Sequence, residues 1–351
     1  MKISENILIS SLTTMRLGGE ARFVVEVENK YEVPEALKFA NEKNLPWFVL
    51  GGGANTIGHD EGFNGVIILM RNKGMDIIDS TSDEFVVFGE AGEIWDDFVR
   101  FTTDHNLSGI ECLAMIPGTV GAAPVQNIGA YGQEISQVID HVEAYDTVSH
   151  EFVIIGRDEM KMSYRETLFN TGPEAGRYII TGVAVVLTDE YMLPPFYNSL
   201  QKHLEDVLDE ETRAKYDTDG YPPELLAKSV SEIRGEKLPD PLEKASAGSF
   251  FKNIYFDPSD TEAIALAEAS GCKIYDKPDG RKMINTGALI EQAGLKGKLL
   301  HGMRVSDKAA LVLINESAKS YADLAAARAE ISEKVLDKFG FEIHQEPVEI
   351  A

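Results

Sequence analysis

Cysteine is scarce in this chain, which has only Cys112 and Cys272 among its 351 residues. The two lie far apart and match no Cys/His spacing, so the sequence indicates neither a disulfide framework nor a zinc or other metal site. The chain also lacks a run of 18 apolar residues, and its N-terminal segment lacks the apolar stretch of a signal peptide. We therefore expect a cytoplasmic protein that does not span a membrane.

Positive charge is also scarce, since 33 Lys and Arg residues stand against 58 Asp and Glu residues, for a net charge of −25. Such a chain repels nucleic-acid backbones and anionic lipid surfaces, so neither is an expected partner. An anionic ligand would have to be held by a few local cations and helix N-termini. The length corresponds to two or three domains at roughly 150 residues each.

The order of strand and helix patterns divides the chain into regions. Residues 1–75 alternate strand and helix patterns, as in a small α/β unit. Strand patterns dominate residues 76–190, with one helix pattern at 92–106. An acidic stretch over 191–240 holds two helix patterns between prolines, and we expect a domain boundary within it.

One long helix pattern lies near the end of the chain. Apolar residues recur on one face from Leu324 to Phe339. Ser320 and Asp323 predict a capping box at its start, and Gly340 predicts its end. This helix is predicted to be structural.

The first candidate ligand-binding segment is Gly51-Gly52-Gly53-Ala54-Asn55, directly after a predicted buried strand. Consecutive glycines leave the backbone N–H groups accessible and allow positive φ, which suits close wrapping around a pyrophosphate. The segment matches neither the dinucleotide-binding G-x-G-x-x-G motif nor the P-loop. A flexible turn without a ligand is the alternative interpretation.

The second candidate segment runs from Ile116 to Gly132 and is rich in glycine, alanine and proline. Small residues leave space beside the backbone that a flat cofactor can fill. Gln126 and Asn127 add amide groups suited to contacting a heterocycle. A tightly packed loop beneath a helix would show the same composition.

Three further residues stand out, although the pattern around each is weak. A lone arginine such as Arg165 is more often solvated than functional. Ser249 follows a glycine and precedes two aromatic residues, but no histidine base stands nearby, so a proton donor fits better than a nucleophile. Glu346 lies in an acidic tail, where carboxylates are usually surface charges.

Together, these segments resemble the UDP-N-acetylenolpyruvoylglucosamine reductases, the MurB-type flavoenzymes of peptidoglycan synthesis. The resemblance runs almost from end to end, through the ordered motifs MRLGG, LGGGAN, IPGTVGAAPVQNIGAYG, SYRETLF, KLPDP, AGSFFKN and GALIEQAGLKG, followed by the glutamate of the tail. It implies an α+β fold with a two-subdomain FAD-binding region of the vanillyl-alcohol-oxidase class and a separate substrate domain. The implied boundaries are 1–75, 76–236 with a tyrosine loop, and 237–351.

The resemblance also implies a reaction and the residues that perform it. NADPH reduces bound FAD, and the enolpyruvyl group of a UDP-sugar then receives hydride at its methylene carbon. Arg165 and Glu346 match the residues that stabilise the resulting enediolate, and Ser249 matches the proton donor. The implied FAD contacts are Gly51, Gly52, Gly53, Ala54, Asn55, Pro117, Gly118, Thr119, Gly121, Ala122, Gln126, Asn127 and Gly129, and the implied UDP-sugar contacts are Tyr197, Lys237, Asn253 and Gln292.

Several alternatives remain open from the sequence. The chain could be an oxidase of the same FAD-binding fold that acts on an alcohol or a sugar, with His59 as a site for a covalent flavin link. It could also be a nucleotide-sugar-binding module without catalysis. In the tail, Glu349 competes with Glu346 for the catalytic role. We expect a monomer.

Overall fold

The computed structural model describes residues 1–241, 243–277 and 279–351. The N-terminal region alternates strands with helices, as its patterns predict. Its elements are β1 (Lys2–Leu8), β2 (Glu20–Val27), α1 (Val33–Glu42), β3 (Trp47–Leu50), β4 (Thr56–Gly58), β5 (Phe63–Met70), β6 (Met75–Ser80), β7 (Glu84–Glu90) and α2 (Trp95–Asp104). Within this part of the chain, the predicted helix at 92–106 is confirmed as α2.

The middle region is rich in strands and then becomes helical. Its elements are β8 (Gly129–Ala130), β9 (Gln133–Glu134), β10 (Ile139–Asp146), β11 (Glu151–Gly156), β12 (Tyr178–Thr188), α3 (Asn198–Val207), α4 (Glu210–Asp219) and α5 (Pro223–Lys237). The patterns predicted α3 and α5 but missed α4. That helix buries no side chain, so no apolar face marks it in the sequence.

The C-terminal region consists of short strands and three helices. Its elements are β13 (Ser246–Ser249), β14 (Ile254–Phe256), α6 (Thr261–Ala269), β15 (Ile274–Asp276), β16 (Lys282–Ile284), α7 (Thr286–Gln292), β17 (Leu299–Leu300), β18 (Met303–Val305), β19 (Val312–Asn315), α8 (Tyr321–Phe339) and β20 (Val348–Ile350). The capping box of Ser320 and Asp323 is confirmed, and Gly340 ends α8 with φ +74°.

The chain divides into two units. The first unit comprises Met1–Asn6, Arg22–Gly52 and Asn64–Glu236. It contains a five-stranded antiparallel sheet in the order β11-β10-β12-β7-β6, and α2 buries Trp95 and Phe98 in the same core as this sheet.

A smaller sheet, ordered β1-β2-β5-β3, lies mainly in the first unit. Strands β3 and β5 are parallel, with Trp47 opposite Val66, and the chain between β2 and β3 forms α1. The apolar face of α1, including Ala36 and Ala40, is buried against Val25 and Val66. The glycine-rich segment begins directly after Leu50, the last residue of β3.

The second unit comprises Ile7–Ala21, Gly53–Phe63 and Lys237–Ala351. Its largest sheet is ordered β13-β19-β18-β17, and strand β20 pairs in parallel with β4. Helix α8 buries one face, from Leu324 to Phe339, in the core of this unit. In the described part of the chain, no helix combines the length and apolarity needed to cross a membrane.

Candidate active site

The glycine-rich segment after β3 approaches the 118–119 loop at a distance that only glycine permits. A Cβ on Gly51 would overlap Thr119 Oγ1, and a Cβ on Gly52 would lie 3.0 Å from the Cα of Gly118. Gly118 itself has φ +130°, and a Cβ built on it would meet no atom within 4 Å. The two backbones therefore form a narrow cradle, which we define as Gly51, Gly52, Gly118 and Thr119, with open space beside Gly118.

One polar atom of this cradle lacks a protein partner. The Oγ1 atom of Thr119 is buried, and none of the described residues hydrogen-bonds to it. A buried hydroxyl left unpaired costs about 1–3 kcal/mol, so a ligand oxygen is its natural partner. The cradle thus fits a phosphate-bearing cofactor such as FAD, because it combines accessible backbone with an available hydroxyl donor.

Gly53 has a different environment from its two glycine neighbours. Its φ is +64°, and a Cβ there would overlap the carbonyl oxygen of Leu12. The Gly53 carbonyl accepts a hydrogen bond from the Thr14 amide at 3.1 Å, and the Asn55 carbonyl accepts one from the Val348 amide at 3.0 Å. These residues therefore fix the turn within the second unit, whatever they contribute to the cofactor.

The remaining predicted cofactor contacts differ in accessibility. Pro117 and Ala122 are exposed, Ala54 and Gln126 are half-buried, and Gly129 lies in β8. Gly121 faces the protein, because its amide donates to the Ala91 carbonyl at 3.0 Å and its Cβ would overlap that residue. Gly121 therefore brings the loop close to the sheet rather than to open space.

The side chain of Asn127 joins neighbouring segments of the protein. Its Nδ2 donates to Glu134 Oε2 at 2.9 Å and to the Ser163 carbonyl at 3.2 Å, and its Oδ1 accepts from the Ser136 amide. Asn127 is 1% exposed. Its amide group is buried and bonded within the protein. This geometry argues against the predicted contact between Asn127 and the heterocycle.

Arg165 is held against this same loop rather than extended into solvent. Its Nη1 donates to the Asn127 carbonyl at 3.0 Å, and Asn170 Nδ2 donates to the Arg165 carbonyl at 3.0 Å. The residue has φ +59°, a conformation that non-glycine residues adopt only where their surroundings enforce it. The surroundings of Arg165 thus fix both its backbone and its guanidinium group.

A buried carboxyl group at the start of the loop was not apparent from the sequence. Glu111 is fully buried; its Oε2 accepts from the Gly109 amide at 2.6 Å, and its Oε1 has no partner among the described residues. Burial raises the pKa of this carboxyl. Glu111 stands amid apolar residues in the chain, and nothing in that pattern marks it as buried.

The raised pKa of Glu111 predicts a pH dependence of stability. The folded state holds the proton more tightly than the unfolded state, so this stabilisation is lost as the pH rises above the unfolded pKa near 4.5. We expect Glu111→Gln to reduce the fall in Tm between pH 5 and pH 8. Thermal unfolding at both pH values tests this, with the exposed Glu166→Gln as control. Parallel curves for wild type and Glu111→Gln would contradict it.

Arg234 in α5 is a second group that the sequence did not reveal. Its Nη2 donates to the Met115 carbonyl at 3.3 Å, and its Nε is buried without a partner among the described residues. Burial lowers the pKa of this guanidinium, and nearby Tyr131 and Asp96 partly offset that effect. Arg234 is half-buried, and its buried Nε would gain a partner if an anion reached it, so Arg234 is a candidate anion-binding residue.

Tyr197, the tyrosine of the predicted substrate loop, contacts Tyr131, which lies near Arg234. Tyr197 is 59% exposed, immediately before α3. Its ring meets the ring of Tyr131 edge to face, with the centroids 5.8 Å apart. The exposed ring of Tyr197 is therefore accessible to a ligand of the first unit.

In the second unit, backbone bonds place the segment of Ser249 beside the tail. The amide of Glu346 donates to the Phe250 carbonyl at 2.8 Å, and the amide of Lys252 donates to the His344 carbonyl at 2.9 Å. Phe250 and Phe251 are both buried, as expected for anchors of this loop. Ser249 and Glu346 are thus held in a defined register by the strand and the tail.

The tail itself is built into the unit rather than left as surface charge. Glu349 accepts hydrogen bonds from Tyr321 Oη at 2.9 Å and Arg328 Nη1 at 2.7 Å, and it pairs with His59 Nε2 at 2.9 Å. The ring of His59 stacks on Tyr321 with the centroids 3.7 Å apart. The side chains of both His59 and Glu349 therefore hold the tail in place.

These bonds distinguish between Glu346 and Glu349, the two candidates for the catalytic glutamate. Burial alone would raise the pKa of Glu349, but the hydrogen bonds that it accepts from its neighbours lower that pKa to about 2. A carboxylate so strongly ionised and so fully bonded is unsuited to proton transfer or to binding an anion. Of the two candidates, the structure favours Glu346.

The predicted UDP-sugar contacts are divided between the two units. Lys237 is exposed at the end of α5, and Gln292 is exposed at the end of α7. Asn253 Oδ1 accepts from the Thr286 amide at 3.1 Å, at the first residue of α7. Arg165 and Tyr197 belong to the first unit, and these three contacts belong to the second.

Comparison with known proteins first defines the class of this one. A family model described as an FAD binding domain matches residues 21–151. The 6-hydroxy-D-nicotine oxidase of Arthrobacter nicotinovorans is similar in fold, with a TM-score of 0.50 and 15% identity over 94% of this chain and 84% of its own. The predicted α+β fold of the vanillyl-alcohol-oxidase class is confirmed, and the protein is an FAD-dependent flavoprotein.

The remaining matches are more specific. A family model for the C-terminal domain of UDP-N-acetylenolpyruvoylglucosamine reductase matches residues 240–350. The reductase of Ralstonia nicotianae is 36% identical over 96% of both chains, and that of Pseudomonas aeruginosa is 34% identical over 99% of this chain and 98% of its own. The crystal structure of the Thermus caldophilus enzyme matches over 100% of both chains, with a TM-score of 0.67 and 21% identity. This chain belongs to the UDP-N-acetylenolpyruvoylglucosamine reductase family.

Proposed function

We propose that this protein reduces UDP-N-acetylglucosamine enolpyruvate to UDP-N-acetylmuramate with NADPH as the reductant, a step in peptidoglycan precursor synthesis. Overall, a hydride from NADPH and a proton are added across the enolpyruvyl double bond. The observation that carries the proposal is the backbone pairing of the Ser249 segment with the tail that holds Glu346, in a chain of this family.

FAD, when bound, would supply the capacity to accept and donate hydride. The cradle of Gly51, Gly52, Gly118 and Thr119 would hold its phosphates through backbone N–H groups and the Thr119 hydroxyl. Gly53, Ala54, Asn55 and the loop around Gln126 complete the proposed contacts. Asn127 contributes by fixing that loop and, through its carbonyl oxygen, the guanidinium of Arg165.

The proposed chemistry at the enolpyruvyl group is charge stabilisation followed by protonation. Arg165 supplies a fixed positive charge to the substrate carboxylate as negative charge develops there. Ser249 Oγ donates the proton to the adjacent carbon, and solvent restores it. Glu346 acts through a hydrogen bond, because an ionised carboxylate facing the enediolate directly would repel the developing charge.

The UDP-sugar requires cations, because the protein as a whole carries a charge of −25. We propose Lys237 for the diphosphate, together with Asn253, Gln292 and the ring of Tyr197. Arg234 of the first unit is a further candidate cation, because its Nε has no partner among the described residues. A monomeric, cytoplasmic enzyme with domains at 1–75, 76–236 and 237–351 completes the proposal, except that Ile7–Ala21 and Gly53–Phe63 belong to the same unit as residues 237–351.

Anaerobic absorption spectroscopy of the purified protein tests this function. We expect a yellow protein that NADPH bleaches and that the enolpyruvyl UDP-sugar restores to the oxidised spectrum, with formation of UDP-N-acetylmuramate. Bleaching by an alcohol or a free sugar, with recovery only under oxygen, would instead identify an oxidase. Binding of the UDP-sugar without any turnover would identify a binding module.

A further inference from the structure

Glu346 lies between two residues that the same arginine holds. Arg328, in the middle of α8, donates from Nη1 to Gln345 Oε1 and, at 2.7 Å, to Glu349 Oε1. Gln345 Nε2 in turn donates to the Pro347 carbonyl at 3.0 Å and to Glu349 Oε1 at 2.9 Å. The side chains on both sides of Glu346 are therefore joined to one guanidinium.

The helix that presents Arg328 is fixed at its own start. Asp60 accepts hydrogen bonds from the amides of Tyr321 at 2.6 Å and Ala322 at 3.2 Å, in addition to the capping box of α8. The apolar face of the helix is buried in the second unit. Arg328 is therefore presented by a rigid element, whereas the tail has only short stretches of backbone pairing of its own.

We propose that Arg328 is a positioning residue for Glu346, which fixes the tail through Gln345 and Glu349. The inference rests on the proposed function, because it takes Glu346 as the group that contacts the substrate. Arginine suits this task because Nη1 donates to both tail acceptors while Nη2 donates to Tyr321 Oη at 3.4 Å, a planar arrangement of donors that the single ammonium group of lysine does not reproduce.

The other partners of Glu349 limit the effect that loss of Arg328 has on folding. Without Arg328, the Glu349 carboxylate keeps its hydrogen bonds from Tyr321 and Gln345 and its pairing with His59. A catalytic group, in contrast, loses much of its effect when it is displaced by about 1 Å. Loss of Arg328 should consequently affect the reaction far more than the melting temperature.

The test measures each half-reaction of the FAD-loaded enzyme by anaerobic stopped flow. In Arg328→Met, we expect reoxidation by the enolpyruvyl UDP-sugar to slow by about 10- to 100-fold, with flavin reduction by NADPH within about twofold of wild type. In a Glu346→Gln background, the same substitution should have almost no further effect on reoxidation. Gln345→Met, which leaves α8 untouched, should reproduce the loss if Arg328→Met folds poorly.

Arg304→Met is the matched control, because Arg304 forms a similar two-bond pair with Glu316 elsewhere in this unit. It should leave both half-reactions unchanged. An equal effect of Arg328→Met with and without Glu346, or an equal loss in both half-reactions, would overturn the inference. Failure of the wild-type enzyme to be reoxidised by the UDP-sugar would instead refute the proposed function.

Discussion

Ser249→Ala is expected to slow reoxidation of the reduced enzyme by the enolpyruvyl UDP-sugar by about 10²- to 10⁴-fold, the usual range for loss of a general acid. Flavin reduction by NADPH should stay within about twofold of wild type, because no proton from Ser249 enters that step. Anaerobic stopped flow, with the flavin absorbance followed in each half-reaction, separates the two effects.

Ser246 offers a matched control on the same strand. Its Oγ is buried without a partner among the described residues, so Ser246→Ala removes a hydroxyl three positions away without breaking a hydrogen bond. Both half-reactions should survive this substitution. If Ser249→Ala lowered flavin reduction and reoxidation equally, Ser249 would be a structural residue and the proton would have to come from another group.

The fold could be predicted from local patterns wherever an element buries one face. Helices α2 and α8 and the long strands of the middle region were apparent for this reason. Helix α4 buries no side chain, and strands such as β17, with two residues, are too short to show a period. These elements depend on contacts distant in the sequence, which local periodicity does not record.

The candidate site could likewise be predicted where its residues are continuous in the chain, but not where it depends on distant contacts. The ordered motifs predicted the cradle and the segments of Ser249 and Glu346, since these are continuous in the chain. The bonds of Asn127 and the ionised state of Glu349 depend on partners that only folding brings near. Arg234 was missed for the same reason, because its hydrogen bond to the Met115 carbonyl joins residues far apart in the sequence.

Gly51→Ala is expected to weaken FAD binding by about 100-fold, so that the purified protein is largely colourless. The added methyl group would overlap Thr119 Oγ1 and lie 3.5 Å from the Cβ of Ala122, forcing the two walls of the cradle apart. Overpacking of this kind costs about 1–3 kcal/mol, and roughly 1.4 kcal/mol corresponds to tenfold in affinity. Titration of the apoprotein with FAD, followed by flavin fluorescence, measures the change.

A companion variant, Thr119→Val, separates the shape of the cradle from its hydrogen bonding. Valine keeps the volume but removes a hydroxyl that has no partner among the described residues, so the apoprotein should lose no stability. FAD should bind about 10- to 100-fold more weakly, which corresponds to about 1.5–3 kcal/mol for a hydrogen bond to a charged group. Gly235→Ala, where a methyl group meets no atom within 4 Å, should bind FAD normally. Unchanged affinity in both Gly51→Ala and Thr119→Val would place the cofactor phosphates elsewhere, because neither the width of the cradle nor its hydroxyl would then matter.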